Sequence, residues 1–224
     1  MEESERIPIR RTGRRQSYHH GNLREALMDA TVGLVGREGL NGFSLNAVAR
    51  AAGVSTAAPY RHFASREALL AAVVERGWDQ FVATLHGAAA SHPDDPLTRL
   101  RALGACYVAF AIDRSPVFRL LFDQRDRPVD RARGRAAFDV LLQCVREAHR
   151  GGLLRQGSDP VDVAHAAWAL VHGLAVLQLG GGFGVTRPGV PSTEVTAAVL
   201  DQFVDGVRFH RGATSVVPDQ PSRG

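Results

Sequence analysis

The amino-acid sequence predicts an all-α fold, in which an N-terminal three-helix unit precedes a larger helical domain. Two observations lead to this prediction. Apolar residues recur at the spacing of a helix in one segment after another, and no segment shows the alternation typical of a half-buried strand. With 224 residues, of which 45% are hydrophobic, the chain can also bury a sizeable core.

The charge pattern is basic. The formal net charge is +4, all 27 basic residues are Arg, and five Arg with no acid lie between Arg6 and Arg15. A basic protein can bind a polyanion such as nucleic acid, although this excess is too small to decide the partner. We expect residues 1–19 to form a flexible basic arm, with a plain disordered tail as an equal alternative, and residues 212–224 to be disordered.

The first two predicted helices each have one apolar face and are joined by a glycine-containing break. One helix covers residues 22–38, and Gly39 ends it. The next begins after Ser44, whose hydroxyl can cap the free amides of the first turn. It ends at Gly53, which can adopt a positive φ. Two such helices can pack on a common core.

A short helix is predicted over Thr56–Phe63, almost without a linker. Ser55 caps it, and Pro59 falls in its first turn, where a missing amide donor costs little. Two helices joined at a Gly turn form the helix-turn-helix arrangement. A helix about 10–12 Å across fits a DNA major groove about 12 Å wide, so we interpret this segment as a groove probe. Its exposed side would carry Thr56, Ala57, Tyr60 and Arg61.

The helix-turn-helix spacing alone does not establish DNA binding, because similar helix pairs occur in bundles that never touch DNA. If the segment binds DNA, the four Arg of this region should share one surface. The alternative is a helical small-molecule-binding protein or enzyme without DNA binding, in which these Arg would scatter. A third interpretation, an activator or architectural DNA-binding protein, lacks a defined pocket. The four residues are Arg24, Arg50, Arg61 and Arg66.

The rest of the chain continues in helices. Ser65 caps a long one, Glu67 complements the dipole of its first turn, and a break follows at about residues 88–96. A Gly/Pro-rich loop, GGGFGVTRPGVPS, separates the last two helices, and we expect it to be mobile. The later helices are predicted at about residues 97–113, 115–122, 128–151, 159–179 and 193–210.

A small-molecule pocket in this part would be lined by apolar side chains with a few polar ones. For each aromatic candidate taken alone, packing in the core is the stronger interpretation. Trp168 and His172 are one helical turn apart and share a face. We expect the His172 imidazole to bond a backbone carbonyl rather than to orient a ligand. The candidates are Tyr107, Phe110, Phe118, Phe122, Phe138, Leu142, Trp168 and His172.

Neither catalytic nor metal chemistry is indicated. Cys106 and Cys144 lie in apolar helical runs without ligand spacing, and no His is completed to a ligand set by Cys, Asp or Glu. No run reaches the roughly 18 uninterrupted apolar residues of a membrane helix. We therefore expect a cytoplasmic protein without catalytic residues, cofactor, metal or membrane partner.

The segment FSLNAVARAAGVSTAAPYRHFASREALLAAV resembles the DNA-binding segment of the tetracycline-repressor (TetR) family of bacterial transcriptional regulators. The resemblance implies that Ser44 caps its helix and touches phosphate, and that Thr56 and Ala57 approach base edges. Two residues depart from the family pattern: Pro59 stands where Leu or Ile is more common, and Arg66 where Lys is usual. Double-stranded operator DNA would be bound by Ser44, Arg50, Ser55, Thr56, Ala57, Tyr60, Arg61, His62 and Arg66.

The C-terminal half is similar to one subclass of these regulators. AWALVHGLAVL looks like the Trp-x-x-x-His-Gly (WHG) signature of that subclass, and SYHHGNLREAL at the N-terminal end is similar to it too. The resemblance implies a homodimer joined by a four-helix bundle, with an effector cavity in each subunit. It predicts a DNA-binding domain at residues 20–66 and an effector-binding and dimerisation domain at 67–211. The function expected is that of a repressor released from a palindromic operator by a small apolar effector.

Independent support for a dimer comes from the last two predicted helices. Residues 161–179 are apolar on nearly every face, and a helix exposed to water would not tolerate this, so it is either central to the core or covered by a partner. The last helix has an apolar stripe wide enough for two contacts. We therefore expect a homodimer.

Overall fold

The structure, a computed structural model, describes residues 23–40, 43–122 and 131–208. Within these ranges the chain forms nine α-helices and one 3₁₀ turn, so the all-α prediction is confirmed. The predicted basic arm at 1–19 and the predicted tail at 212–224 lie outside the described residues. The helices are α1 (Leu23–Glu38), α2 (Leu45–Ala51), α3 (Arg66–Ala90), α4 (Pro96–Asp113), α5 (Ser115–Phe122), α6 (Arg131–Arg150), α7 (Pro160–Leu179), α8 (Gly182–Thr186) and α9 (Ser192–Val207).

Side-chain caps begin several of these helices. The Ser44 hydroxyl accepts a hydrogen bond from the Ala47 amide at 3.1 Å, and the Ser65 hydroxyl accepts one from the Ala68 amide at 3.2 Å. Both caps were expected from the sequence, because a short polar side chain there satisfies an amide that has no partner within the helix. An aspartate does the same at the start of α4 and of α7.

Two hydrophobic cores are built on α3. The first half of α3, including the buried Leu69 and Val73, packs with α1 and α2. The second half, including Phe81 and Leu85, joins the larger core with α4, α6, α7 and α9. Leu120 of α5 belongs to the smaller core. The cores are thus joined by one unbroken helix, which also begins directly after the predicted DNA-binding segment.

Two details of the C-terminal half differ from the sequence prediction, and one prediction falls partly outside the described residues. The Gly/Pro-rich loop contains the short helix α8, which follows Gly181 at φ +74°. The helix predicted from residue 128 is described only from Arg131, because residues 123–130 lie outside the described ranges. One isolated antiparallel bridge joins Leu154 to Arg208, a single contact that no sequence alternation could have indicated.

Helix α7 is apolar on both of its sides. It is the one helix among the described residues that is long and apolar enough for a membrane span, with a window of mean hydropathy 1.4. One side, with Val171 and Leu174, is buried against α4, α6 and α9. The other side exposes Val161, Val176 and Leu177. Helix α7 is therefore a core helix of this bundle with an uncovered apolar face.

Candidate nucleic-acid interface and ligand cavity

A left-handed glycine ends α2 and turns the chain toward the predicted DNA-binding segment. Gly53 has φ +69°, its amide donates to the Arg50 carbonyl at 3.1 Å, and the Val54 amide donates to the Ala49 carbonyl at 3.0 Å. This pair of bonds is the Schellman motif, which satisfies carbonyls left free at a helix end. The role predicted for Gly53 is confirmed.

The predicted short helix at Thr56–Phe63 is wrong. The chain instead forms a turn followed by one 3₁₀ turn, Pro59–Arg61, whose capping position is Ala58 and not Ser55. Pro59 lacks an amide hydrogen, so it cannot bond to the Ser55 carbonyl as an α-helix requires. The Ala58 amide bonds to that carbonyl instead, three residues back, at 3.0 Å. The segment is therefore a tight turn rather than two turns of α-helix.

This turn exposes its polar side chains to solvent. Tyr60 is 57% exposed, and Thr56, Ala57, Arg61 and His62 are exposed as well. Pro59 and Phe63 are buried and fix the turn on the smaller core. We call the five exposed residues Thr56, Ala57, Tyr60, Arg61 and His62 the exposed turn.

Two of the four predicted surface Arg lie over aromatic rings. The Arg24 guanidinium lies 4.9 Å from the centre of the Phe63 ring, which places it beside the end of the exposed turn. Arg66 lies over Phe43, just before α2. Arg50 is exposed on α2. A surface shared by all four Arg stays a prediction.

Arg66 is more strongly engaged with the protein than the sequence suggests. Its Nε donates to the Phe43 carbonyl at 3.1 Å, and its Nη2 donates to the Leu40 carbonyl. Its guanidinium lies 4.4 Å from the centre of the Phe43 ring. Arg66 therefore holds the segment between α1 and α2, and only part of its donor set is left for a phosphate.

An apolar cavity lies in the larger core, lined by residues of α3, α4, α5, α6, α7 and α9. The space between its atoms is about 660 Å³, including solvent at its mouth. Four of the eight predicted ligand residues line it: Tyr107, Phe122, Phe138 and Trp168. The other four do not: Phe110, Phe118 and Leu142 are buried in the larger core, and the His172 ring lies 4.9 Å from the ring of Phe122.

A tyrosine–histidine pair lies at the cavity wall, with only Tyr107 lining the cavity itself. The Tyr107 hydroxyl lies 2.9 Å from His172 Nδ1, so the backbone carbonyl expected as the partner of His172 is wrong. Burial raises the pKa of Tyr107. Burial also lowers the pKa of His172. Both groups are therefore held neutral, and Tyr107 can donate to an unprotonated Nδ1.

Two family profiles match this chain. Residues 27–73 match the profile of the bacterial regulatory proteins of the tetR family. Residues 100–205 match the profile of the tetracyclin repressor-like C-terminal domain. The chain belongs to the TetR family. The WHG subclass within it stays a prediction, and no curated protein matches the sequence significantly.

Solved structures share the TetR-family fold with this chain. A protein of unknown function from Rhodococcus sp. RHA1 is 35% identical, over 86% of this chain and 98% of its own, with a TM-score of 0.73. A TetR family transcription regulator from Marinobacter aquaeolei VT8 is 21% identical over 84% and 96%, with a TM-score of 0.64. SmeT, the repressor of the Stenotrophomonas maltophilia multidrug efflux pump SmeDEF, is 22% identical over 89% and 96%, with a TM-score of 0.65.

Sequence reasoning missed much of the cavity wall of this TetR-family chain. Trp78 and Phe81 belong to the apolar stripe of α3, but periodicity identifies a core face without saying whether it meets another helix or a void. No feature of the sequence marks Gly104 as a residue of the cavity wall. A Cβ there would lie 2.4 Å from Leu200 Cδ2, so the missing side chain lets α9 approach α4 at the wall.

Proposed function

We propose that the chain is a ligand-responsive transcriptional repressor, in which a homodimer binds a palindromic operator and a small apolar effector releases it. TetR-family regulators bind DNA and small-molecule effectors and act as dimers. The observation that carries the proposal is the course of α3. This helix begins at Arg66, directly after the exposed turn, and supplies Trp78 and Phe81 to the cavity wall. One rigid element therefore connects the two candidate sites.

At the DNA, the exposed turn would enter the major groove. Thr56 and Ala57 are small enough to let the backbone approach base edges. Tyr60 and His62 would donate to phosphates, together with the amides at the start of α2, which Ser44 caps. Phosphate contacts fix position and carry no sequence information, whereas contacts to base edges do. Loss of a phosphate-binding side chain should therefore lower the affinity for every duplex, whereas loss of a side chain at the base edges should change the sequence preference.

The exposed face of α7 supports the homodimer. Val176 is 50% exposed, and Gly173 and Ala169 lie on the same face, one and two turns before it. Apolar and small residues allow a second helix to approach closely and bury this surface. A second copy of the chain, rather than a membrane, is the partner that agrees with a soluble DNA-binding regulator of this family. A two-fold dimer would match a palindromic operator.

The dimer would release its operator DNA because the effector binds two arrangements of the dimer with unequal affinity. Such a coupling between sites is typically worth about 1–3 kcal/mol. A ligand that fills the cavity pushes on the second half of α3, and α3 carries this to the smaller core and the exposed turn. The half-sites then no longer match the spacing of successive major grooves.

Combining Tyr60→Phe with His62→Ala should weaken DNA binding by about tenfold on every duplex, because two phosphate donors are lost, and should flatten its salt dependence. Fluorescence anisotropy with labelled duplexes at several salt concentrations measures both. Thr56→Ala is the matched contrast, since it should change the preference at one base position and leave the salt dependence alone.

An unchanged affinity for duplex DNA in both variants would contradict the proposal that the exposed turn binds DNA. The same outcome, with no salt-dependent affinity in the original chain, would favour the alternative of a small-molecule-binding helical protein or enzyme. Because all three side chains are exposed, thermal unfolding of the variants should stay close to that of the original chain.

A further inference from the structure

One polar group at the cavity wall has no partner. Trp78 on α3 lines the cavity and is only 3% exposed. Its indole Nε1–H is buried and finds no acceptor among the described residues. An indole N–H can only donate, so it needs an oxygen or another acceptor to be satisfied. Buried donors are nearly always paired in folded proteins, which makes this one conspicuous.

The indole is held in place by the cavity wall itself. The Trp78 ring packs edge-to-face on Phe122 at 5.4 Å and on Phe81 at 6.0 Å, and both of these rings line the cavity. On the α6 side the wall includes Gly134, where an added Cβ would lie 3.8 Å from Trp78 Cη2, on the six-membered part of the indole. The ring that carries the donor is therefore held by its neighbours at the cavity wall.

The other groups at the cavity favour an uncharged ligand. No charged residue is present among the described residues that line it. The Tyr107 hydroxyl is already bonded to His172 and is neutral, as is the imidazole. A charged group placed here would lose its hydration without gaining a counter-charge.

We propose that the cavity takes an uncharged, mainly hydrocarbon molecule with a hydrogen-bond-accepting oxygen, and that the Trp78 indole N–H donates to this oxygen. This inference rests on the proposed function only in treating the cavity as the effector site. An acceptor removes a penalty that the free protein carries, whereas a hydrocarbon of the same shape fills the same space and leaves the donor unpaired. The new bond forms on α3, the helix that leads to the exposed turn.

The test compares three probes of nearly equal shape: 2-acetylnaphthalene, 2-isopropylnaphthalene and the 2-naphthoate anion. Calorimetric titration should give an affinity about tenfold higher for the ketone than for the hydrocarbon, and weaker binding still for the anion. In Trp78→Phe, which keeps an aromatic ring in the wall, the ketone should lose its advantage over the hydrocarbon.

A spectroscopic readout makes the test independent of that variant. The chain has two Trp, so a protein labelled with ¹⁵N-Trp gives two indole N–H signals, and Trp168→Phe assigns them. The ketone should move the Trp78 indole proton downfield, whereas the hydrocarbon should not. A purely structural Trp78 would show no such difference.

Equal affinities for ketone and hydrocarbon, tighter binding of the anion, no binding of the ketone, or an unmoved Trp78 indole signal would each overturn the inference. Release of DNA is measured separately by anisotropy. A ketone that binds through Trp78 but releases no duplex supports the inference and argues against the proposed function, so the two failures can be told apart.

Discussion

Phe81→Ala should lower the free energy of unfolding by about 3–5 kcal/mol, which is the range for removing a fully buried aromatic side chain. Phe81 is 1% exposed, and its ring packs against Phe110 at 4.9 Å and against Tyr107 at 5.2 Å. Truncation removes these contacts and enlarges the cavity at the point where α3 meets α4. Urea denaturation followed by circular dichroism, at one fixed protein concentration, measures the change.

Trp168→Ala is the informative comparison. Trp168 lines the same cavity from α7, but it is 38% exposed, so its truncation should cost only about 1–2 kcal/mol. A loss from Trp168→Ala as large as that from Phe81→Ala would mean that Trp168 is buried in solution. A stable Trp168→Ala variant that has lost only its response to effector would place this side chain in the ligand site.

Val176→Arg should convert the protein from a dimer to a monomer and weaken operator binding by about a hundredfold or more. An Arg at the centre of an apolar helix–helix interface would be buried without a partner, which strongly disfavours association. A monomer contacts one half-site, and losing the second removes a factor of about 10²–10⁴ in affinity. Sedimentation should then give the single-chain mass of 24.1 kDa.

Ile112→Arg serves as the control for this experiment. Ile112 is also an exposed apolar residue, 38% accessible, but it lies on α4 and not on the open face of α7. The dimer should survive this substitution. If Val176→Arg leaves the dimer intact, or if both variants dissociate alike, the interface on α7 is wrongly assigned.

The helices and their caps could be predicted because they depend on local sequence. Ser44 and Ser65 bond to amides three residues ahead, and Gly53 needs only its own freedom to reach a positive φ. The apolar character of α7 could be predicted as well, and it indicated a helix either central to the core or covered by a partner.

The cavity and the partners of His172 and Arg66 could not be predicted, because they depend on packing between residues far apart in the chain. Whether the aromatic rings of α3 and α4 close on each other or leave a void depends on several helices at once, and the sequence marks neither outcome. The partner of His172 is Tyr107, 65 residues away in the chain, and no spacing rule links them. The same holds for Arg66, which bonds to carbonyls of the α1–α2 loop.

The prediction of a short helix over Thr56–Phe63 is wrong for a different reason. Proline is tolerated in a first helical turn, but if Ser55 caps the helix, Pro59 is the first residue whose amide must bond to the Ser55 carbonyl, and it has no amide hydrogen. The exposed side chains nevertheless lie where the prediction put them, because the burial of Pro59 and Phe63 fixes the orientation of the turn.

In the proposed function, the exposed turn reads duplex DNA twice, once from each subunit of a dimer. Selection of bound sequences from random duplex DNA by the purified chain tests it most directly. We expect enrichment of two inverted half-sites whose centres lie about 10–10.5 base pairs, or a multiple of that, apart. Absence of any enriched sequence, or enrichment of a lone half-site without a symmetric partner, would contradict it.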